Sequence, residues 1–248
     1  MGEGRVVAIL QARTSSTRLP GKVLKPILGR PMLALQLERL RRCTRLDLVV
    51  VATSDQPDDD SVAELCEAEG TTCFRGSLDD VLDRFYRCAL TYNAEHVVRL
   101  TGDCPLADPE IVDAVIDFYL EQQVDYASDC RPPTLPDGLD VEVFSLKSLE
   151  SAWREAGTPF EREHVVPFIT DRPERFAIAN WTWKQDLSGL RWTVDEPEDL
   201  EFVRRIYGAL YPANPHFGFR DVLALLRENP ELADINSRFE RNEGSRRN

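Results

Sequence analysis

Residues Ala8 to Lys25 read AILQARTSSTRLPGKVLK, and the reading of this passage decides what kind of chain follows. It begins apolar, within a strand expected from Val6 to Leu10, and turns polar at Gln11. Arg13, Arg18 and Lys22 then share a loop with the hydroxyl run Thr14, Ser15, Ser16 and Thr17, which Pro20 and Gly21 punctuate. Cations, hydroxyls and backbone N–H groups gathered at a strand end form an anion site suited to a polyphosphate. The loop is therefore expected to hold a nucleoside triphosphate; the alternative is a solvated basic loop. It is not a Walker A loop, because Gly21-Lys22 is followed by Val23, and it is not GxGxxG.

Downstream, apolar runs alternate with helical patterns, which predicts an α/β fold with a mostly parallel sheet covered by helices. Pro31 suits the first position of a helix carrying Met32, Leu33, Leu37 and Leu40. Leu46 to Thr53 is a continuous apolar run, as in a strand buried on both faces. Asp58 to Asp60 introduce a helix to Glu69, Cys73 to Arg75 is a short strand, and Ser77 and Asp80 start a helix to Leu90. Glu95 to Leu100 is a strand, Asp108-Pro109 opens a helix, and Asp125 to Ser128 is a short strand. Leu139 to Ser145 alternates as a half-buried strand, and Leu146 to Glu155 is helical. Phe160 to Ile169 reads as a helix interrupted at Pro167, Phe176 to Trp183 as a strand open to antiparallel pairing, and Leu190 to Val194 as a strand ending at Asp195. Helices from Pro197 to Tyr211 and from Arg220 to Glu228 complete a single domain over 1–236, with a charged, frayed tail over 237–248.

A chain of 248 residues can bury a substantial core. No run of about 18 apolar residues occurs, so no membrane span is expected, and Met1 to Arg5 runs into a strand without a signal-peptide pattern. The net charge of -13 argues against a general nucleic-acid binder. The six cysteines are scattered, which predicts reduced thiols and a cytoplasmic protein without a zinc site.

The polar residues recur at strand ends: Gln11 to Lys22, Ser54-Asp55, Arg75, Asp103 and Asp195. In open α/β sheets ligands bind there. Asp103, in Thr101-Gly102-Asp103-Cys104-Pro105, is either a turn residue or one of the carboxylates that a phosphate-bound magnesium ion takes from protein. Asp195 is either a second such ligand or the N-cap of the Pro197 helix, with Glu198 three residues on. Arg75 and Gly76 are placed at the base or ribose. Asp80 reads as a cap. Asp58-Asp59-Asp60 matches a DxD pattern but is better explained as capping. His96 reads as structural, His164 is the one histidine considered for a site, and the default for Trp181, Trp183 and Trp192 is packing.

From Gln11-Ala12-Arg13 to Lys22 the chain resembles the nucleotide loop of the CMP-sugar synthetases, most closely the SpsF-like cytidylyltransferase branch of spore-coat polysaccharide biosynthesis. Arg75-Gly76 through Phe85, Thr101 to Pro105, Asp137 to Glu142, Glu161 to His164 and Trp192 to Asp195 match in the family's order. The resemblance implies a Rossmann-like nucleotide-diphospho-sugar transferase fold and a Mg2+-dependent transfer of CMP from CTP, releasing pyrophosphate, for surface polysaccharide or glycoconjugate synthesis. It puts Gln11, Ala12, Arg13, Arg18, Lys22, Arg75 and Gly76 at the nucleotide, with Lys22, Arg13 and Asp103 as the catalytic group. Asp103 and Asp195 hold the metal, and Asp140, Glu142, Glu163 and His164 border the acceptor. It implies a small antiparallel extension over about 130–190 for acceptor binding and homodimerisation. CMP-KDO synthetases carry glutamine where this chain has Thr101, so KDO does not follow as the acceptor. Arg131, Arg162 and Lys184 are the cations considered for an acidic acceptor. Alternatives are transfer from CTP or GTP to a phosphorylated or phosphonate acceptor, a catalytically inactive nucleotide-binding protein, and a glycosyltransferase.

Overall fold

A computed structural model describes residues 4–241. The chain runs β1 (Val6–Gln11), a hairpin of β2 (Pro26–Ile27) and β3 (Arg30–Pro31), α1 (Met32–Leu40), β4 (Leu48–Ser54), α2 (Asp60–Ala68), β5 (Thr72–Gly76), α3 (Val81–Thr91), β6 (His96–Thr101) and α4 (Pro109–Gln122). It continues through β7 (Tyr126–Ser128), β8 (Glu142–Ser145), α5 (Leu146–Glu155), α6 (Pro159–His164), α7 (Pro167–Thr170), β9 (Ile178–Asn180), α8 (Pro197–Leu210), α9 (Phe219–Glu228) and α10 (Glu231–Asp234). One seven-stranded sheet has the order β5-β4-β1-β6-β8-β7-β9. The strands are parallel except β8, which pairs antiparallel with both β6 and β7.

The continuous apolar sequence of the central strands follows from burial on both sheet faces. Val6, Ala8 and Leu10 enter one core with α1, α2, α4, α8 and α9, whereas Val7 and Ile9 enter another with α3, α5 and α7. The strand order reverses between β1 and β6, and the ends of β1, β4 and β6 at this switch carry the polar loops, as is usual for ligand sites in such sheets. Among the described residues no helix is long and apolar enough to cross a membrane. All six cysteines are free thiols.

Several local expectations are corrected. Leu190 to Val194 is not a strand: it makes a single bridge from Arg191 to Asp137, after which the N–H groups of Trp192 and Thr193 both donate to the Asp137 carbonyl, at 2.6 and 2.9 Å. Phe176 to Trp183 contracts to β9, which runs parallel to β7; the last bond to β7 is Trp181 N to Ser128 O at 2.7 Å, and beyond it the Trp183 N–H goes to the side chain of Thr134. β8 starts at Glu142 because the Val141 N–H donates to the Asp129 side chain at 2.9 Å. Pro167 starts α7 rather than interrupting a helix; the break lies at Val165, with φ 71°. Pro31 precedes its helix as N-cap. The expected frayed tail fails for its first residues, since Arg238 and Arg241 form ion pairs with Glu198 and Asp140; residues 242–248 lie outside the described residues.

Two contacts position the site. A Cβ at Gly102 would fall 2.9 Å from the Ala12 Cβ, so glycine lets the turn after β6 lie against the end of β1, where Gly102 N donates to Gln11 O at 2.7 Å. Gly138, at φ 107°, has the backbone N of Thr193 only 2.4 Å from where a Cβ would be. Gly138→Ala is expected to cost roughly 2–4 kcal/mol by strain and clash. Gly208→Ala, at an exposed position of α8 where a Cβ would meet nothing within 4 Å, is expected to gain up to about 1 kcal/mol. Urea denaturation of the two variants checks the contrast; equal midpoints would contradict it.

Candidate active site

The loop after β1 is folded largely by its own backbone and by one buried acid. Gly21 N donates to Thr14 O at 2.9 Å and Lys22 N to Leu19 O at 3.1 Å. Asp59, 2% exposed, accepts from Thr14 N (2.7 Å) and Thr14 Oγ1 (2.9 Å) through one oxygen, and from Ser54 N and Oγ through the other. Asp59 therefore makes no side-chain cap on its helix; it ties the β1 loop to the end of β4. The hydroxyl run divides: Thr14 and Ser16 brace the loop, whereas Thr17 lines a cleft. Arg13 lines the same cleft and has no hydrogen-bond or ion-pair partner among the described residues.

Lys22 leads a one-turn 3-10 helix and is 9% exposed. Its Nζ lies 2.8 Å from Asp103 Oδ2 and 2.8 Å from Asp195 Oδ1. The turn is closed by backbone and by Thr101 with Cys104, and Asp103 joins it only through Oδ1, which accepts from Cys104 Sγ at 3.5 Å, leaving Oδ2 for Lys22. Its carbonyl accepts from Val194 N at 2.8 Å, which joins the two carboxylate-bearing loops directly. Asp195 is not the N-cap of α8. Glu196 caps that helix, and Asp199 accepts the N–H groups of both Asp195 and Glu196 at 3.0 and 2.9 Å. The Asp195 carboxylate is left to meet Lys22, Arg18 (3.0 Å) and Arg191 (3.1 Å).

Burial works against both charges of the Lys22–Asp103 pair, and mutual attraction outweighs it. The Lys22 ammonium stays raised, with Asp103 and Asp195 beside it, and the Asp103 carboxyl is pulled down to about 2, chiefly by Lys22. Both acids are partly exposed, at 26% and 20% of their side chains. Two carboxylate oxygens that reach one ammonium converge on one point. That all-oxygen donor pair, open to solvent oxygens, fits a hard divalent cation such as Mg2+.

The cleft measures about 840 Å³. It also receives Asp140, Glu142, Glu163 and His164, the residues placed at the acceptor by resemblance. Glu142 is paired with Arg99 and accepts from Tyr126 OH at 2.6 Å. His164 is held below its ordinary pKa by burial and by Arg99, against the opposing pull of Glu163, a shift that favours the neutral imidazole. Gln11 ends β1 and Ala12 follows it, its N–H donating to Ala52 O at 3.2 Å; neither lines the cleft. Arg75 and Gly76 are not brought to this cleft. They line a separate recess of about 540 Å³ beside β5. The Arg75 guanidinium there holds Ser54 O, Gln56 O and Asp60, and the side chains of Arg84 and Phe74 fill the space over Gly76.

Sequence reading missed Asp59, Arg99, Arg191 and Arg84. Arg191 sits four residues before Asp195 and binds Asp137, Asp195 and Asp199 together, a spacing visible in the sequence but hidden by the strand reading. Arg84 is fully buried with Nε and Nη2 unpartnered, and burial lowers its pKa to about 10; nothing in its helical pattern signalled this.

A family model described as cytidylyltransferase matches residues 7–211. The spore coat polysaccharide biosynthesis protein SpsF of Bacillus subtilis is 31% identical, over 92% of this chain and 96% of that protein. The solved structure of a cytidylyltransferase from Leptospira borgpetersenii serovar Hardjo-bovis superposes with a TM-score of 0.89 at 34% identity, covering 93% of this chain and 97% of that one. A CMP:2-keto-3-deoxy-manno-octonic acid synthetase complexed with CTP shares the fold at a TM-score of 0.65 and 20% identity, over 82% and 98% of the two chains.

If Lys22 balances the two acids, Lys22→Met leaves them facing each other. A loss of about 1–3 kcal/mol is expected, discounted for their partial exposure. Mg2+ should then raise the melting temperature of Lys22→Met more than that of the unmodified protein. Equal shifts in a thermal melt would contradict a shared cation site.

Proposed function

The chain belongs to the cytidylyltransferase family, and on that premise we propose that it transfers CMP from CTP to a sugar or sugar-acid acceptor with release of pyrophosphate. The observation that carries the reading is that the buried Lys22 ammonium binds Asp103 and Asp195, two carboxylates that line one cleft together with the uncommitted Arg13, Glu163 and His164. In this reading Arg13 and Arg18 hold the triphosphate. Lys22 leaves its carboxylates to neutralise charge developing on the α-phosphate and the departing pyrophosphate. An acceptor oxygen forms the new P–O bond as the bond to pyrophosphate breaks, and the acceptor's proton leaves to solvent or to the neutral imidazole of His164. The loop and the acceptor wall contribute alignment of the reacting atoms. Mg2+, held by Asp103 and Asp195, would supply further charge neutralisation on the phosphates and acidify the attacking hydroxyl. Arg75 and Gly76 belong to the nucleotide side only if the base reaches the recess beside β5.

We further assign the enzyme to the cytoplasm, where CTP is available, and to surface polysaccharide or glycoconjugate synthesis. Homodimerisation through the 130–190 region is supported by β9, which stands at the edge of the sheet and exposes Ile178.

With CTP, Mg2+ and a panel of sugar acids and sugar phosphates, pyrophosphate release should be saturable in CTP, and CTP should stabilise the protein against heat more than GTP does. Lys22→Ala and Asp103→Asn should each lower turnover roughly 100- to 1000-fold with unchanged circular dichroism. Undiminished turnover in Asp103→Asn would remove the metal and catalytic assignments.

A further inference from the structure

The segment that ends the described chain returns to the cleft. Asn236, 2% exposed, donates through Nδ2 to Arg191 O (3.0 Å) and Asp199 Oδ1 (2.9 Å). Arg191 in turn donates to Glu240 O at 3.3 Å and lies over the Phe239 ring. The same arginine that grips Asp195 thus pins this strap. Its last described residue, Arg241, lines the cleft with Asp103 and Asp195, only 16% of its side chain being exposed. There it ion-pairs with Asp140 and donates to Leu135 O at 3.1 Å.

The cations first considered for the acceptor compare poorly. Arg162 is taken by Asp80 and by Trp153 O, and Lys184 stacks on Trp183 outside the cleft. Arg131 also lines the cleft, but its guanidinium is engaged with Tyr126 and Glu142. Arg99 is paired with Glu142 deeper in. Arg241 is anchored on a pinned segment, and its guanidinium has more N–H donors than Leu135 O and Asp140 use. Beside it, Asp140 keeps lone pairs free at a carboxylate that is 34% exposed.

We propose that Arg241 and Asp140 form the pair that reads the acceptor sugar, Arg241 donating to an acceptor oxygen and Asp140 accepting from a neighbouring hydroxyl. A charged donor fixed beside a charged acceptor matches adjacent oxygens on a sugar ring, and the strap makes the C-terminal segment part of the active site. This rests on the CMP-transfer reading.

The test measures pyrophosphate release with CTP, Mg2+ and a panel of sugar acids, 3-deoxy-manno-octulosonate among them, and sugar phosphates. Arg241→Gln should raise the acceptor KM about tenfold or more, leave the CTP KM within error, and be partly rescued by Arg241→Lys. Adding Asp140→Asn to Arg241→Gln should cost less than the product of the single effects. An unchanged acceptor KM, or equal rises in both KM values, overturns the proposal while leaving the reaction standing. If Arg241→Gln does not fold, Arg241→Lys decides alone: a raised acceptor KM supports the pair and an unchanged one overturns it. No turnover of any acceptor by the unmodified protein overturns the reaction and this pair with it.

Discussion

One ammonium group between two carboxylates organises this molecule's chemistry. Lys22, Asp103 and Asp195 come from chain segments 81 and 173 residues apart, and each arrives by a different device. Lys22 is presented by a loop that Asp59 ties to β4; Asp103 by a turn that passes β1 because Gly102 has no side chain; Asp195 by a loop whose helix is capped by other residues. The backbone bond from Val194 to Asp103 fixes the two acids relative to each other, so the cleft is set by main-chain contacts rather than by the charges it holds.

That arrangement explains why two acids and a buried lysine coexist. Desolvation disfavours every one of these charges, and it is tolerated because each finds an opposite charge within hydrogen-bond reach. The same logic runs outward. Arg191 satisfies Asp195, Asp137 and Asp199 at once, and Arg241 satisfies Asp140. In the cleft Asp103, Asp137, Asp140, Glu142 and Asp195 are each paired with a cation, whereas Arg13 has no ion-pair partner among the described residues and is free to meet an incoming anion.

The parallel core was legible because β1 and β4 are buried on both faces and so read as unbroken apolar runs, and because Asp80 and Asp108 cap their helices as their positions suggest. Resemblance, and not periodicity, supplied the cytidylyl chemistry. What the sequence concealed was decided by tertiary partners. Leu190 to Val194 has a strand's composition but gives its N–H groups to the Asp137 and Asp103 carbonyls. Asp195 has a cap's position but Glu196 and Asp199 do the capping. Asp59 sits in an acidic run that looks like helix capping but reaches back to Thr14. The tail's charged composition suggested fraying, whereas Arg241 is held by Asp140 and by the carbonyl of Leu135.

The central claim is that Asp103 and Asp195 form one hard-cation site that works together with the Arg13-to-Lys22 loop. An electron paramagnetic resonance titration of Mn2+, with and without CTP, tests it most directly. The account predicts one Mn2+ site that tightens when CTP is present and is lost in Asp103→Asn and in Asp195→Asn alike. Mn2+ binding that is indifferent to CTP, or that survives either substitution, would contradict it.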